Sequence, residues 1–272
     1  MRARPIRISF EPLQQNSIVS QTPIVTLKTQ LEWTYVPDNF FEWELVLQLA
    51  DGTLSATSGH AVMVLSTPVD PIPPALLNSI DETVRSAFSV HRVTNGRSFT
   101  LNGPSVVQHS PDGRSVMVEI SAIDCISMVE AIDIVITDAD GTIIRDTKAE
   151  RRATSSNFVS TVTPKLGRSP TLRSMFDSYG LAVDDPANEL VHLYEVRDAA
   201  AKHFGDKATA CKQLGVSDRD WSKLGQLAND EPLHEGRHRG KQAGTLRNAR
   251  PDELETARRI ARTILESFAK TV

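Results

Sequence analysis

The side chains best suited to chemistry cluster in the stretch Asn229-Asp-Glu-Pro-Leu-His234-Glu-Gly-Arg237-His238-Arg239-Gly240-Lys241. Guanidinium forks bind phosphates bidentately, glycines let a backbone approach closely, and histidine can donate, accept or transfer a proton. Residues 233–250 hold five basic residues (Arg237, Arg239, Lys241, Arg247, Arg250) and one acid, Glu235. This segment suits an RNA or DNA backbone. The plain alternative is that its arginines cap helix ends and pair with Glu231, Glu235 or the acidic start of the last helix. His234 and His238 are four apart, as metal ligands on a helix would be, but Pro232 and the glycines argue against a helix there. No metal and no cofactor is expected.

Just before this loop lies Ala208-Thr-Ala-Cys211-Lys-Gln-Leu-Gly215-Val216-Ser217-Asp-Arg-Asp-Trp221-Ser-Lys-Leu224. Cys211, Gly215, Val216, Trp221 and Leu224 fall where the helix-turn-helix of bacterial DNA-binding proteins places its small residue, turn glycine and apolar anchors, and the stretch resembles that motif. The resemblance implies a second helix able to enter a major groove, offering Arg219 and Lys223. Asp218 and Asp220 at its start would be repelled by phosphates, and a purely structural helical hairpin fits the pattern as well. Arg197 and His203 are six apart in a helical region, which is similar to the Arg-x(4–6)-His signature of HEPN domains. That resemblance implies a helical, metal-independent ribonuclease, often dimeric, in which this pair would serve 2′-OH attack and the charged transition state. Finally, Ile134-Val-Ile-Thr-Asp138-Ala-Asp140-Gly-Thr142 resembles the first motif of haloacid-dehalogenase-type phosphatases, where the nucleophile and general acid would fall on Asp138 and Asp140. A hairpin turn at Asp140-Gly141 explains the same residues, because no βαβ units follow.

The elements that must position these groups divide the chain. Residues 25–35 alternate, with Val25, Leu27, Leu31, Trp33 and Tyr35 on one face, and 41–49 repeat the pattern, so both predict half-buried antiparallel strands. Asp51-Gly52, Asp112-Gly113 and Asp140-Gly141 predict hairpin turns. Ala61–Leu65 predicts another strand, and Pro73-Pro74 followed by Leu76, Leu77, Ile80, Val84, Ala87 and Phe88 predicts one helix. The expected fold is thus α+β: residues 1–150 a β-rich, sandwich-like domain with one helix, 151–170 a linker rich in Ser, Thr, Pro and Gly, and 171–272 an all-α bundle. Helices are predicted at about 187–204, 206–214, 218–228 and 251–270, with a short one at Pro170–Tyr179. Segment 229–250 is a loop. Trp33, Trp43 and Trp221 all read as core.

The totals are ordinary for a globular chain: 272 residues, 40% hydrophobic, 24% charged and a net charge of −4. No apolar run is long enough for a membrane span, and no secretory leader is evident. Two cysteines, Cys125 and Cys211, argue for buried thiols in a reducing, cytoplasmic setting. The sequence therefore supports a non-enzymatic binding or regulatory protein. Its β half is expected to hold a protein partner, and its helical half to contact nucleic acid through Arg219, Lys223, His234, Arg237, His238, Arg239 and Lys241. A ribonuclease using Arg197 and His203 or Arg237 and His238, or an interaction scaffold without nucleic acid, is the alternative. Oligomeric state is open.

Overall fold

A computed structural model describes residues 28–69, 71–109, 115–116, 133–137, 140–242 and 244–272. The chain begins with strands β1 (Lys28–Val36), β2 (Leu45–Leu49), β3 (Gly52–Thr57) and β4 (His60–Leu65). Helix α1 (Pro74–Asn95) follows, then β5 (Thr100–His109) and the two-residue β6 (Ser115–Val116). Among the described residues these strands form one antiparallel sheet in the order β2-β3-β4-β1-β5-β6. A separate antiparallel pair, β7 (Val135–Thr137) and β8 (Ile143–Asp146), leads into the helices. These are α2 (Thr147–Leu166), α3 (Pro170–Asp184), α4 (Glu189–Phe204), α5 (Lys207–Leu214), α6 (Asp218–Gly225) and α7 (Pro251–Thr271). The chain is a mixed α and β protein, with an antiparallel sheet first and helices after it.

Alternation explains the sheet. Leu31, Trp33 and Tyr35 of β1 turn inward with Leu45, Leu47, Leu54, Ala56, Ala61 and Met63, and all are buried. Helix α1 buries Ile80, Val84, Ala87 and Phe88 in the same core. A fully covered Val, Leu, Ile, Phe or Met side chain contributes roughly 1.5–3 kcal/mol. The Trp33 indole N–H donates to Asp81 Oδ1 at 2.8 Å, fixing the helix on the sheet. The first hairpin turn is shifted by one residue from Asp51-Gly52: Ala50 and Asp51 form the loop, and Gly52 already pairs with Leu49. Glycine is needed there for close approach, since a Cβ would lie 2.1 Å from the Val64 carbonyl oxygen. Residues 25–27, Asp112-Gly113, Cys125 and Asp138 lie outside the described residues. Asp140-Gly141 joins β7 to β8, with Gly141 at φ +82°, which is the hairpin reading of that motif.

The stretch 151–170, expected to be a linker, is a correction: most of it is the helix α2. The Asp146 carboxylate caps it by accepting from the Ala149 N–H at 3.0 Å. Its inward side is partly polar, with Ser155 and Thr163 buried beside Val159, Val162 and Leu166, and this hides the helical period. The predicted short helix at Pro170 continues to Asp184. The four later helices fall within two residues of their expected starts, and α7 buries Ala257, Ile260, Ala261, Ile264, Leu265 and Phe268. Buried apolar residues of the sheet, α1 and the helices join in one cluster. Among the described residues no helix is long and apolar enough to cross a membrane.

Candidate functional site

Residues 194, 197 and 198 of α4 fall on one helical face, spaced i, i+3 and i+4. Arg197 lies over the Tyr194 ring with its guanidinium carbon 4.0 Å from the centroid, and 5.7 Å from that of Trp221. Its Nη1 donates to the Trp221 carbonyl at 3.2 Å, and its side chain is only 14% exposed. The Nε group is buried with no hydrogen-bond partner among the described residues. Glycine at 225 makes this possible, because a Cβ there would sit 2.2 Å from Arg197 Nη1.

The loop after α6 brings a second guanidinium to the same ring. A π-helical turn, Gln226–Asp230, ends α6 and presents the Ala228 carbonyl to the Arg237 N–H at 2.7 Å. Gly236 packs between carbonyls here, with a notional Cβ 3.1 Å from Ala228 O and 3.3 Å from Leu233 O. The Arg237 guanidinium carbon then lies 4.5 Å from the Tyr194 centroid. Asp198 stands 3.9 Å from Arg197 Nη2 and 3.8 Å from Arg237 Nη1, beyond hydrogen-bond range of either. The result is two positive charges, one loosely placed carboxylate and an aromatic face. Arg197 is largely buried, whereas Arg237 is 36% exposed.

Helices α5 and α6 flank this cluster. Gly215 closes α5 in the left-handed region at φ +64°, and Ser217 Oγ caps α6 by accepting from the Asp220 N–H at 3.0 Å. Leu214, Val216, Trp221 and Leu224 are buried beneath. The two acids at the start of α6 are both paired. Lys207 Nζ is 2.6 Å from Asp218, and its hydrogen bond holds that carboxyl below the usual range; Arg259 Nη2 is 3.3 Å from Asp220. Arg219 is exposed, and Lys223 reaches Gln226 Oε1 at 3.3 Å. Both line a shallow depression with Ser217, Asp220, Asp230 and Arg259.

The other candidate residues separate into outward and inward sets. His234 and His238 are exposed. Arg239 turns inward, with Nε on the Gly236 carbonyl at 2.9 Å and Nη2 on the Ala187 carbonyl at 3.0 Å and on Asn188 Oδ1. Arg247 makes two bonds to Glu253, at 2.7 and 2.9 Å, and Arg250 pairs with Asp252 at 3.1 Å. Arg247 is the largest cause of a Glu253 carboxyl pushed down to about 2. Lys241 belongs to the 3-10 turn Arg239–Gln242, and its side chain lies outside the described residues. Arg197 and His203 share no contact: Arg197 faces α6, while His203 is exposed and packs on Phe204 and Phe268, with centroids 4.9 and 4.8 Å away. Sequence reasoning missed Tyr194 and Asp198, although their helical spacing to Arg197 was available. Among the described residues no group of three His, Cys, Asp or Glu side chains gathers as a metal site requires.

Comparison with known proteins gives no match: no family model, no curated protein and no solved structure matches this chain.

Proposed function

We propose that the protein binds nucleic acid without acting on it, through the helical surface that runs from Arg237 and Tyr194 to Arg219 and Lys223. The observation that carries this reading is the pair of guanidiniums on one tyrosine ring. Arg237 supplies phosphate-binding donors at the surface, and Arg197 adds fixed positive charge behind it. Tyr194 holds the two guanidiniums in place, and the exposed plane of Arg237 is a surface of the kind that single-stranded bases stack on. Pairing of Asp218 with Lys207 and of Asp220 with Arg259 supports the reading further, because it offsets the charge that would repel phosphates. His234 and His238 extend the surface. Arg239 serves it indirectly, by holding the loop. The sheet half, in this reading, carries a protein partner, for which the β7–β8 hairpin exposes Ile134, Val135, Ile143 and Ile144.

The test is fluorescence anisotropy with labelled single-stranded RNA, single-stranded DNA and duplex DNA at low salt. Binding is expected to weaken linearly in log salt, and Arg237→Ala is expected to flatten that slope by about 0.7–0.9 for each phosphate that Arg237 neutralises. The RNA stays intact throughout. Absence of binding at low salt, or an unchanged slope in Arg237→Ala, refutes the proposal; metal-independent cleavage of the RNA would favour the ribonuclease instead.

A further inference from the structure

A second concavity, away from this surface, has a volume of about 560 Å³. It lies between the loop after β1, the C-terminal half of α1, one face of α2 and the last turns of α7. Its α2 side runs from Arg151 to Lys165, about 20 Å at a rise of about 1.5 Å per residue. Phe40, Phe158 and Val162 give it an apolar wall. Its floor is a closed polar set. Ser155 Oγ is 3.1 Å from Thr94 Oγ1 and 3.4 Å from His91 Nδ1, and these groups hold α1 to α2.

Charge is distributed unevenly along the cleft. At one end Arg151 is balanced by Glu42 at 3.2 Å and Asp133 at 2.6 Å. Midway, Arg262 bonds Glu266 at 2.6 Å, and Arg97, which also lines the cleft, is engaged by the Asn39 carbonyl at 2.8 Å. At the far end Lys165 Nζ donates to a neutral acceptor, the Ala269 carbonyl, at 2.8 Å, and Lys270 is exposed beside it. Among the described residues neither ammonium has a carboxylate within ion-pair distance. Trp43 lines the cleft near the balanced end, and its Nε1, closed to solvent, makes no hydrogen bond among the described residues. Trp43 is only partly covered, so the expectation that it belongs to the core is corrected. A buried N–H left without an acceptor costs about 1–3 kcal/mol, so an oxygen reaching it gains that much.

We propose that this cleft binds an elongated amphipathic monocarboxylate. Its carboxylate lies at the Lys165–Lys270 end, its apolar body along Phe158, Val162 and Phe40, and the Trp43 ring turns to donate its Nε1–H to an oxygen near its far end. Two cations without carboxylates select the head group. The length of the α2 face selects an extended body over a compact one, and the volume is that of an ordinary small-molecule site.

The experiment uses the full chain with hexadecanoate, 16-hydroxyhexadecanoate and hexadecan-1-ol, followed by thermal shift and tryptophan emission. Both carboxylates are expected to raise the melting temperature, with the hydroxy acid binding several-fold more tightly. In Trp43→Phe the emission change disappears, and the two carboxylates bind alike. Lys165→Gln with Lys270→Gln weakens both by about tenfold, as removal of a charge-assisted bond requires, and leaves the alcohol unchanged. Lys165 also holds the end of α7, so Lys270→Gln alone provides the same comparison if the double variant folds poorly. The proposal is overturned if no probe shifts the protein, if the alcohol binds as tightly as hexadecanoate, or if emission still responds in Trp43→Phe.

Discussion

The guanidinium of Arg197 occupies the space that a methyl group on Gly225 would need, with Nη1 2.2 Å from the position of that Cβ. Gly225→Ala therefore forces Arg197 off the Trp221 carbonyl. Stability is expected to change by less than about 1 kcal/mol, because alanine's better helix propensity offsets the broken hydrogen bond. Nucleic-acid affinity is expected to fall about threefold or more, as the stacked charge is displaced. Denaturant unfolding and anisotropy on the same variant check both parts.

Tyr194 is the shared platform of Arg197 and Arg237. Tyr194→Phe keeps the ring and is expected to bind nucleic acid nearly as the natural protein does. Tyr194→Leu keeps an apolar side chain but removes the π face, worth about 0.5–2 kcal/mol for each stacked cation. Equal affinity for the two variants would show that the ring does not organise the arginines.

The loop arginines have opposite roles despite their spacing. Arg239→Ala removes donors to two backbone carbonyls and to Asn188, and is expected to cost about 2 kcal/mol of stability. Arg237→Ala lies at the surface and is expected to cost less than about 0.5 kcal/mol while weakening binding. Urea titrations of both, set against their salt slopes, separate the effects.

His91 gives the fold a pH dependence. Burial, the largest influence, lowers its pKa from 6.5 to about 4, so the native protein holds it neutral while the unfolded chain protonates it below 6.5. The unfolded state then binds the extra proton, and stability present above pH 6.5 is lost as pH falls toward 4. The whole loss is about 3 kcal/mol, one unit being worth about 1.4. Urea midpoints between pH 7 and 5 should fall in the natural protein and stay flatter in His91→Leu.

How much of this was legible depended on whether a pattern was local. The stripe of α7 and the Gly215 turn are local and were readable, as was the concentration of charge in 233–250. Whether each arginine points in or out was not, because Arg239 finds its acceptors at Ala187 and Asn188, about fifty residues away in the chain. Helix α2 escapes a periodicity reading because its buried hydroxyls bond internally, as Thr163 Oγ1 does to the Val159 carbonyl at 2.7 Å. Trp43 departs from its expected place because the two-residue period of 41–49 extends past the true start of β2 at Leu45. The amphipathic cleft could not be foreseen, since its walls come from four separate parts of the chain.

Three arginines of α7 reach three different helices. Arg258 holds Glu189 of α4 at 2.7 Å, Arg259 holds Asp220 of α6 at 3.3 Å, and Arg262 bonds the Thr94 carbonyl of α1 at 3.3 Å. Detaching α7 breaks all three ties in one event. Slow amide hydrogens in α1, α4 and α6 then share a common opening energy, and exchange in those helices reports the lifting of a single rod.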